Sequence, residues 1–402
     1  MTRPFAIHTV LRMVPNHLLK ELLDQEGHRE FDPKWDGLTR PTDIVQPLIA
    51  YMDELPKSRF DALECALHNV SDLASEEGLN ALFEAAQVCG IDDLALRIPD
   101  DLCNWGRTMW IWLHHRSVFE KAQIIYQIDH MSWWRKRNDL PQNTPDVSSE
   151  ATSRLAREIS TLLRTQGRGR NCTVERIERG SIHYFFAYPD DFVQTVQMHN
   201  EESVLTVTPF RKTLQIVFAY NQEDGSLELY ARSLPKKFKE ELERLFASVI
   251  LHWGLSEFDP DAAYELNHLK DPSFVLRTDP ADRVTVRIKR LGFSHEGTDR
   301  QIIVQVDEDK TDDDIHKAIK ECLNFSEHPL ANWDVTLVTL CFEFHAIDGR
   351  KPGRQTIEVR YPRSCNLRNM RADRVEIIQK YLKRWKIDLA KQIESAICAV
   401  GA

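Results

Sequence analysis

The spacing of apolar residues changes its period once along this chain. Up to about residue 145 apolar side chains recur at intervals of three and four, which predicts helices. In PTDIVQPLIAYMDELP they are Ile44, Val45, Leu48, Ile49 and Met52; Pro41 and Pro56 bound the segment, and Pro47 is expected to kink it. Phe60, Leu63, Ala66, Leu67, Val70 and Leu73 form the stripe of a second helix, and a third stops at Gly90. Two more follow. The first is capped by Asp100 or Asp101 and carries Leu102, Trp105, Met109, Trp110 and Trp112. The second begins near Ser117 and leads into the run WWRKR at 133–137. Residues 138–150, NDLPQNTPDVSSE, read as a polar linker, followed by a connecting helix from Ser149 to about Gln166.

From Cys172 the period is two, which predicts strands. CTVERIE and IHYFFAY flank RGS as a hairpin; DDFVQTVQMH is expected to be a short helix capped by Asp190; VLTVTPF reads as a strand broken at Pro209. TLQIVFAY and SLELYAR flank a turn in which Asp224-Gly225 supplies the positive φ. A helix from Pro235 to Gly254 carries Phe238, Leu242, Leu245, Phe246, Val249, Ile250 and Trp253 on one core-facing stripe. Hairpin then helix recurs at about 283–325, with Thr311 as the helix cap, and at 334–390; 211–253 shares that order. A hairpin-plus-helix unit cannot bury its own apolar face, so such units side by side imply a sheet layered with helices. The expected fold class is α+β: an N-terminal all-α domain followed by antiparallel sheet built from repeated β-hairpin–helix units. The expected divisions are 1–145, a helical domain; 146–170, a linker helix and basic loop; 171–275, a hairpin domain; and 276–402, two hairpin–helix units ending in a basic helix.

Charge sharpens these divisions. Residues 1–150 hold 15 Lys and Arg against 24 Asp and Glu, and the remainder holds 37 against 38. An overall charge of −10 argues against indiscriminate coating of nucleic acid but permits a local cationic groove. Eight cysteines without CxxC spacing read as reduced core thiols, and neither a signal peptide nor a membrane span is expected, which points to the cytoplasm. No metal and no cofactor are expected, and the oligomeric state is left open.

No GxSxG, HExxH, GxGxxG or GxxxxGKS motif occurs. GRGR at 167–170 lies at a helix exit, whereas a phosphate cradle needs a helix entrance. The strongest chemical signal is cationic. Between Arg363 and Lys386 stand eight Lys and Arg against two acids. Arg350, Lys351, Arg354, Arg363, Arg368, Arg371, Lys380, Lys383 and Arg384, with Arg168 and Arg170, are the candidate polyanion contacts. Five of the nine tryptophans, Trp105, Trp110, Trp112, Trp133 and Trp134, are candidates for a protein-partner surface; packed helical core is the simpler account of them. These features imply a non-enzymatic accessory protein that binds nucleic acid or another polyanion, with a protein partner on its helical domain. One alternative is a metal-dependent hydrolase or nuclease in which His183, Asp190, Asp191, Glu343 and His345 converge from distant strands. Another is an interaction scaffold within a larger assembly.

Overall fold

The computed structural model describes residues 5–389 except 39, 203, 260–262, 296, 299, 308–313, 325, 328, 348–349, 351 and 368–371. Two compact units divide the chain: residues up to Asp129 together with Gln194–Phe210, and His130–Val193 together with Arg211 onward.

In the first unit the periodicity is realised as α1 (Ile7–Met13), α2 (Asn16–Gln25), α3 (Val45–Asp53), α4 (Lys57–Leu73), α5 (Glu76–Val88), α6 (Leu94–Arg97), α7 (Asn104–His114) and α8 (Arg116–His130). Pro47 does not kink its helix. It falls in the first turn of α3, after a 3-10 turn at Pro41–Ile44, where its missing N–H leaves no bond unmade. The α4 stripe Leu63, Ala66, Leu67, Val70 and Leu73 is buried and joins Leu22, Leu82, Met109 and Phe119 in one core. The Ser75 hydroxyl accepts from the Gly78 N–H at 2.9 Å and caps α5.

The second unit carries a strand where the sequence suggested a helix end. Trp134–Arg137 is β1, because Trp134, Lys136 and Arg137 each find a buried place on one or other face of a sheet. After α9 (Ser149–Arg164) come β2 (Cys172–Arg179), β3 (Ile182–His199), β4 (Leu205–Thr213), β5 (Ile216–Asn221), β6 (Ser226–Tyr230) and α10 (Lys236–Ile250). Next are β7 (Val284–His295), β8 (Gln301–Gln305), α11 (Ile315–Cys322), β9 (Trp333–Phe344), β10 (Gly353–Arg360), β11 (Ser364–Cys365) and α12 (Ala372–Arg384). The fold is α+β. The strands along the sheet pair antiparallel in the order β2-β3-β5-β6-β1-β11-β10-β9-β7-β8, and β4 pairs with β3. The short β1 therefore joins the sheet's two halves, pairing β6 on one side and β11 on the other.

Directly opposed residues in antiparallel strands share a face. Arg135 opposes Leu229 and Arg137 opposes Leu227, so both arginines point to the face that Phe218, Leu227 and Leu229 bury under α9 and α10. Trp134 opposes Cys365, which opposes Val359, so Trp134 and Lys136 point to the other face, where Leu340, Phe342 and Val359 pack with α11 and α12. Helices of the two halves thus cover opposite faces, and β1 supplies alternate residues to both cores.

Three other expectations are revised. DDFVQTVQMH is strand, the continuation of β3; its alternating Val193, Thr195 and neighbours suit an extended chain, and Pro209 is tolerated because β4 pairs only with β3. The supposed linker is fixed to the sheet: the Leu140 N–H donates to Gly225 O, and the Tyr220 hydroxyl donates to Pro141 O at 2.6 Å. Gly225 is required there, since its φ is +65° and a Cβ would lie 2.4 Å from Leu140 O. The cap of α11 is Asp314, whose carboxylate accepts from the His316 and Lys317 N–H groups; Thr311 lies outside the described residues.

A candidate anion-binding cleft

Three of the described cations picked out near the C-terminus, Lys380, Lys383 and Arg384, are already matched by acids. Lys380 lies 2.6 Å from Asp279 and 2.8 Å from Asp282, Arg384 forms a two-pronged pair with Asp279, and Lys383 is 3.4 Å from Asp224. Arg350 donates to Asp282 O and packs 5.0 Å from the Phe344 ring centroid. Arg168 pairs with Asp191 at 2.9 Å and sits over Phe192. Arg354 is exposed on β10, and Arg170 is exposed beyond α9. Lys351, Arg368 and Arg371 lie outside the described residues.

Arg363 is different. It lies in the turn between β10 and β11 and is 4% exposed, and its Nη1 is 3.2 Å from Glu243 Oε2. Two arginines of β1 converge on the same carboxylate: Arg135 Nε at 3.0 Å from Oε1, and Arg137 Nη1 at 3.2 Å from Oε2. Arg135 also reaches Glu240 at 3.0 Å, and Arg137 makes a two-pronged pair with Asp139. Glu243 is 1% exposed on the buried face of α10. Burial pushes its carboxyl up to about 7, against the pull of Arg135 and Arg137. The Arg363 guanidinium stacks 3.9 Å from the Phe258 ring centroid, and its buried Nη2 has no hydrogen-bond partner. A buried donor without a partner is costly, and Arg363 also belongs to a cleft wall.

These groups border a cleft of about 480 Å³ lined by Arg135, Arg137, Lys236, Glu240, Arg244, Ser256, Glu257, Phe258, Pro362, Arg363 and Ser364. Its lining holds five cations, Arg135, Arg137, Lys236, Arg244 and Arg363, and two carboxylates, Glu240 and Glu257; Glu241, Glu243 and Asp139 pair with the same cations from beside or behind the wall. A second, shallower depression of about 380 Å³ lies between α9 and β2, where Arg157, Arg164 and Arg170 meet Thr152, Ser153, Asn171 and Thr173 without any acid in its lining. The two flank the α9–α10 pair, four strand places apart, or about 19 Å at 4.8 Å per strand.

The candidate catalytic residues do not converge. His183 on β3 and His345 just past β9 are six strand places apart, about 29 Å across the sheet. His183 lies 3.8 Å from Glu178, the Asp190 carboxylate accepts from the Asn171 side-chain amide, Asp191 pairs with Arg168, Glu343 opposes Thr285 and Arg354 on its strand, and His345 Nε2 is 2.7 Å from the Thr285 hydroxyl. Among the described residues no three His, Cys, Asp or Glu side chains are grouped to hold a metal ion, and no helix is long and apolar enough to cross a membrane.

Of the five tryptophans, Trp112 is buried against Phe119 under the Arg116 guanidinium, while Trp105 and Trp110 pack half-buried on the helical core. Trp134 is 2% exposed and donates to Met131 O, whereas Trp133, 38% exposed, lies beneath the Arg360 guanidinium. Sequence reasoning missed Arg135, Arg137 and Glu243 as a group. WWRKR shows no alternation of apolar and polar residues, and Glu243 lies more than a hundred positions away, so no local signal marks the group.

Compared with models of known families, with curated proteins and with solved structures, the chain matches none.

Proposed function

We propose that this protein is a non-enzymatic binder of a phosphate-bearing polyanion, and that the cleft over β1 is where the anion sits. The observation that carries this reading is the Arg363 guanidinium: it is buried, one nitrogen is spent on Glu243, and the other is left without an acceptor in the cleft wall. Planar guanidinium groups match phosphate oxygens in charge and in hydrogen-bond geometry. Arg244 and Lys236, 41% and 82% exposed, add long-range attraction at the rim.

The test is binding of a fluorescent oligonucleotide and of inorganic polyphosphate to the full chain at low and moderate salt. Both ligands should bind, and both should weaken as salt rises, because each phosphate contact releases counterions. Arg363→Gln should lose about tenfold in affinity while remaining folded, since Arg135 and Arg137 still hold Glu243. Absence of binding at low salt, or equal affinity in the variant, would overturn the reading.

A further inference from the structure

We infer that the polyanion is single-stranded nucleic acid, with a base stacked on Trp253 beside the cleft; this rests on the proposed anion cleft and names its ligand. Arg244 lines that cleft and also another depression, of about 450 Å³, formed with Ser248, His252, Trp253, Gly254 and Leu255. The two are therefore neighbours along the outer side of α10. From Lys236 to Trp253 the run is about 25 Å at 1.5 Å per residue, enough for a few nucleotides.

Trp253 belongs by sequence to the core stripe of α10, yet it is 48% exposed. The cause is the helix end. Helical geometry stops at Ile250, His252 takes φ +51°, and the Trp253 N–H donates back to Ala247 O at 2.9 Å. The chain thus folds back over the helix end through a non-glycine residue in the left-handed region, which costs backbone strain and leaves the indole outside the core. Burying such a ring is worth far more than leaving half of it in water, so its exposure next to cations marks a contact surface.

The ligand class follows from combining the two features. Polyphosphate satisfies the arginines but offers no flat face to an indole. Duplex bases are stacked on one another and cannot reach it. An unpaired base can stack on Trp253 while its phosphates lie toward Arg244 and Arg363. Three acids oppose this arrangement: Glu240 and Glu257 line the cleft, and Glu241 lies 2.6 Å from Arg244. They limit affinity.

The experiment titrates the full chain with an oligothymidylate of about ten nucleotides, the matching duplex, and inorganic polyphosphate, following tryptophan fluorescence and anisotropy. The expected result is quenching by the single strand that Trp253→Phe largely removes, with affinity mostly kept. Trp253→Ala should weaken the single strand about tenfold and leave polyphosphate unchanged. If Trp253→Ala binds the single strand as the parent does, or if duplex binds better than single strand, this inference is overturned while the anion cleft stands. If neither oligothymidylate nor polyphosphate binds, the cleft fails and this inference with it.

Discussion

Lys136 gives the sharpest test of how β1 is placed. Its side chain is buried in the middle of the sheet, with Nζ 2.6 Å from Asp388 Oδ2, and Asp388 is 5% exposed. Burial alone would lower the ammonium pKa, but Asp388, Glu228 and Asp224 outweigh it and raise it above the usual lysine value. A cation whose pKa is raised on folding contributes stability that is complete below its unfolded value of 10.5 and is lost as pH rises through the folded one; the contribution is therefore constant across neutral pH. At 2.6 Å and an effective dielectric of about 20, the gross attraction is roughly 6 kcal/mol, offset by several kcal/mol of desolvation per ion. The pair adds little net stability, yet breaking it from one side is expensive. Lys136→Met should cost about 3–5 kcal/mol in urea unfolding at pH 7, with Asp388→Asn also strongly destabilising. The double replacement Lys136→Met with Asp388→Leu should recover most of that loss, giving a coupling of about 2 kcal/mol or more. A Lys136→Met cost below about 1 kcal/mol, or no coupling, would mean that β1 does not carry this lysine into the core and that the placement of Arg135 and Arg137 on the opposite face is wrong.

Two further predictions concern the cleft. Because the folded-state pKa of Glu243 is raised from 4.5 to about 7, the native carboxyl holds a proton that the unfolded chain has released; its contribution to stability is greatest below 4.5 and fades as pH rises toward 7. Oligonucleotide affinity should accordingly increase between pH 8 and pH 6 as the carboxyl neutralises beneath the arginines, and Glu243→Gln should bind more tightly at pH 8 with a flatter pH profile; an unchanged profile in anisotropy titrations would contradict this. The second concerns Arg157, Arg164 and Arg170, which line the depression between α9 and β2. Replacing all three by Ala should weaken long single strands, and lower the salt slope by about two, while short oligonucleotides that fill only the cleft bind unchanged; equal loss for both lengths would refute a second point of attachment.

The α+β class was legible because periodicity reports which side chains must be buried. The α4 stripe, the Asp224-Gly225 turn and the body of α10 follow from it directly. Three features were not legible, each for a physical reason. β1 is only four residues long and buries alternate side chains in two different cores, so its pattern looks like a charged run rather than a strand. Trp253 continues the helical stripe by number, but the left-handed turn at His252 breaks the periodicity one residue earlier. The basic tail suggested a cationic surface, yet Asp224, Asp279 and Asp282, far away in sequence, fold back onto Lys380, Lys383 and Arg384. Arg363 alone among the described tail cations combines deep burial, a place in the cleft wall and a guanidinium nitrogen without a partner, and no local pattern distinguishes it from its neighbours.

The most direct test of the anion cleft is a crystal structure of the full chain with a short oligothymidylate. A phosphate oxygen is expected within hydrogen-bond distance of the Arg363 guanidinium, between β1 and the outer side of α10. An oligonucleotide bound elsewhere, with the Arg363 guanidinium still facing only Glu243 and Phe258, would contradict it.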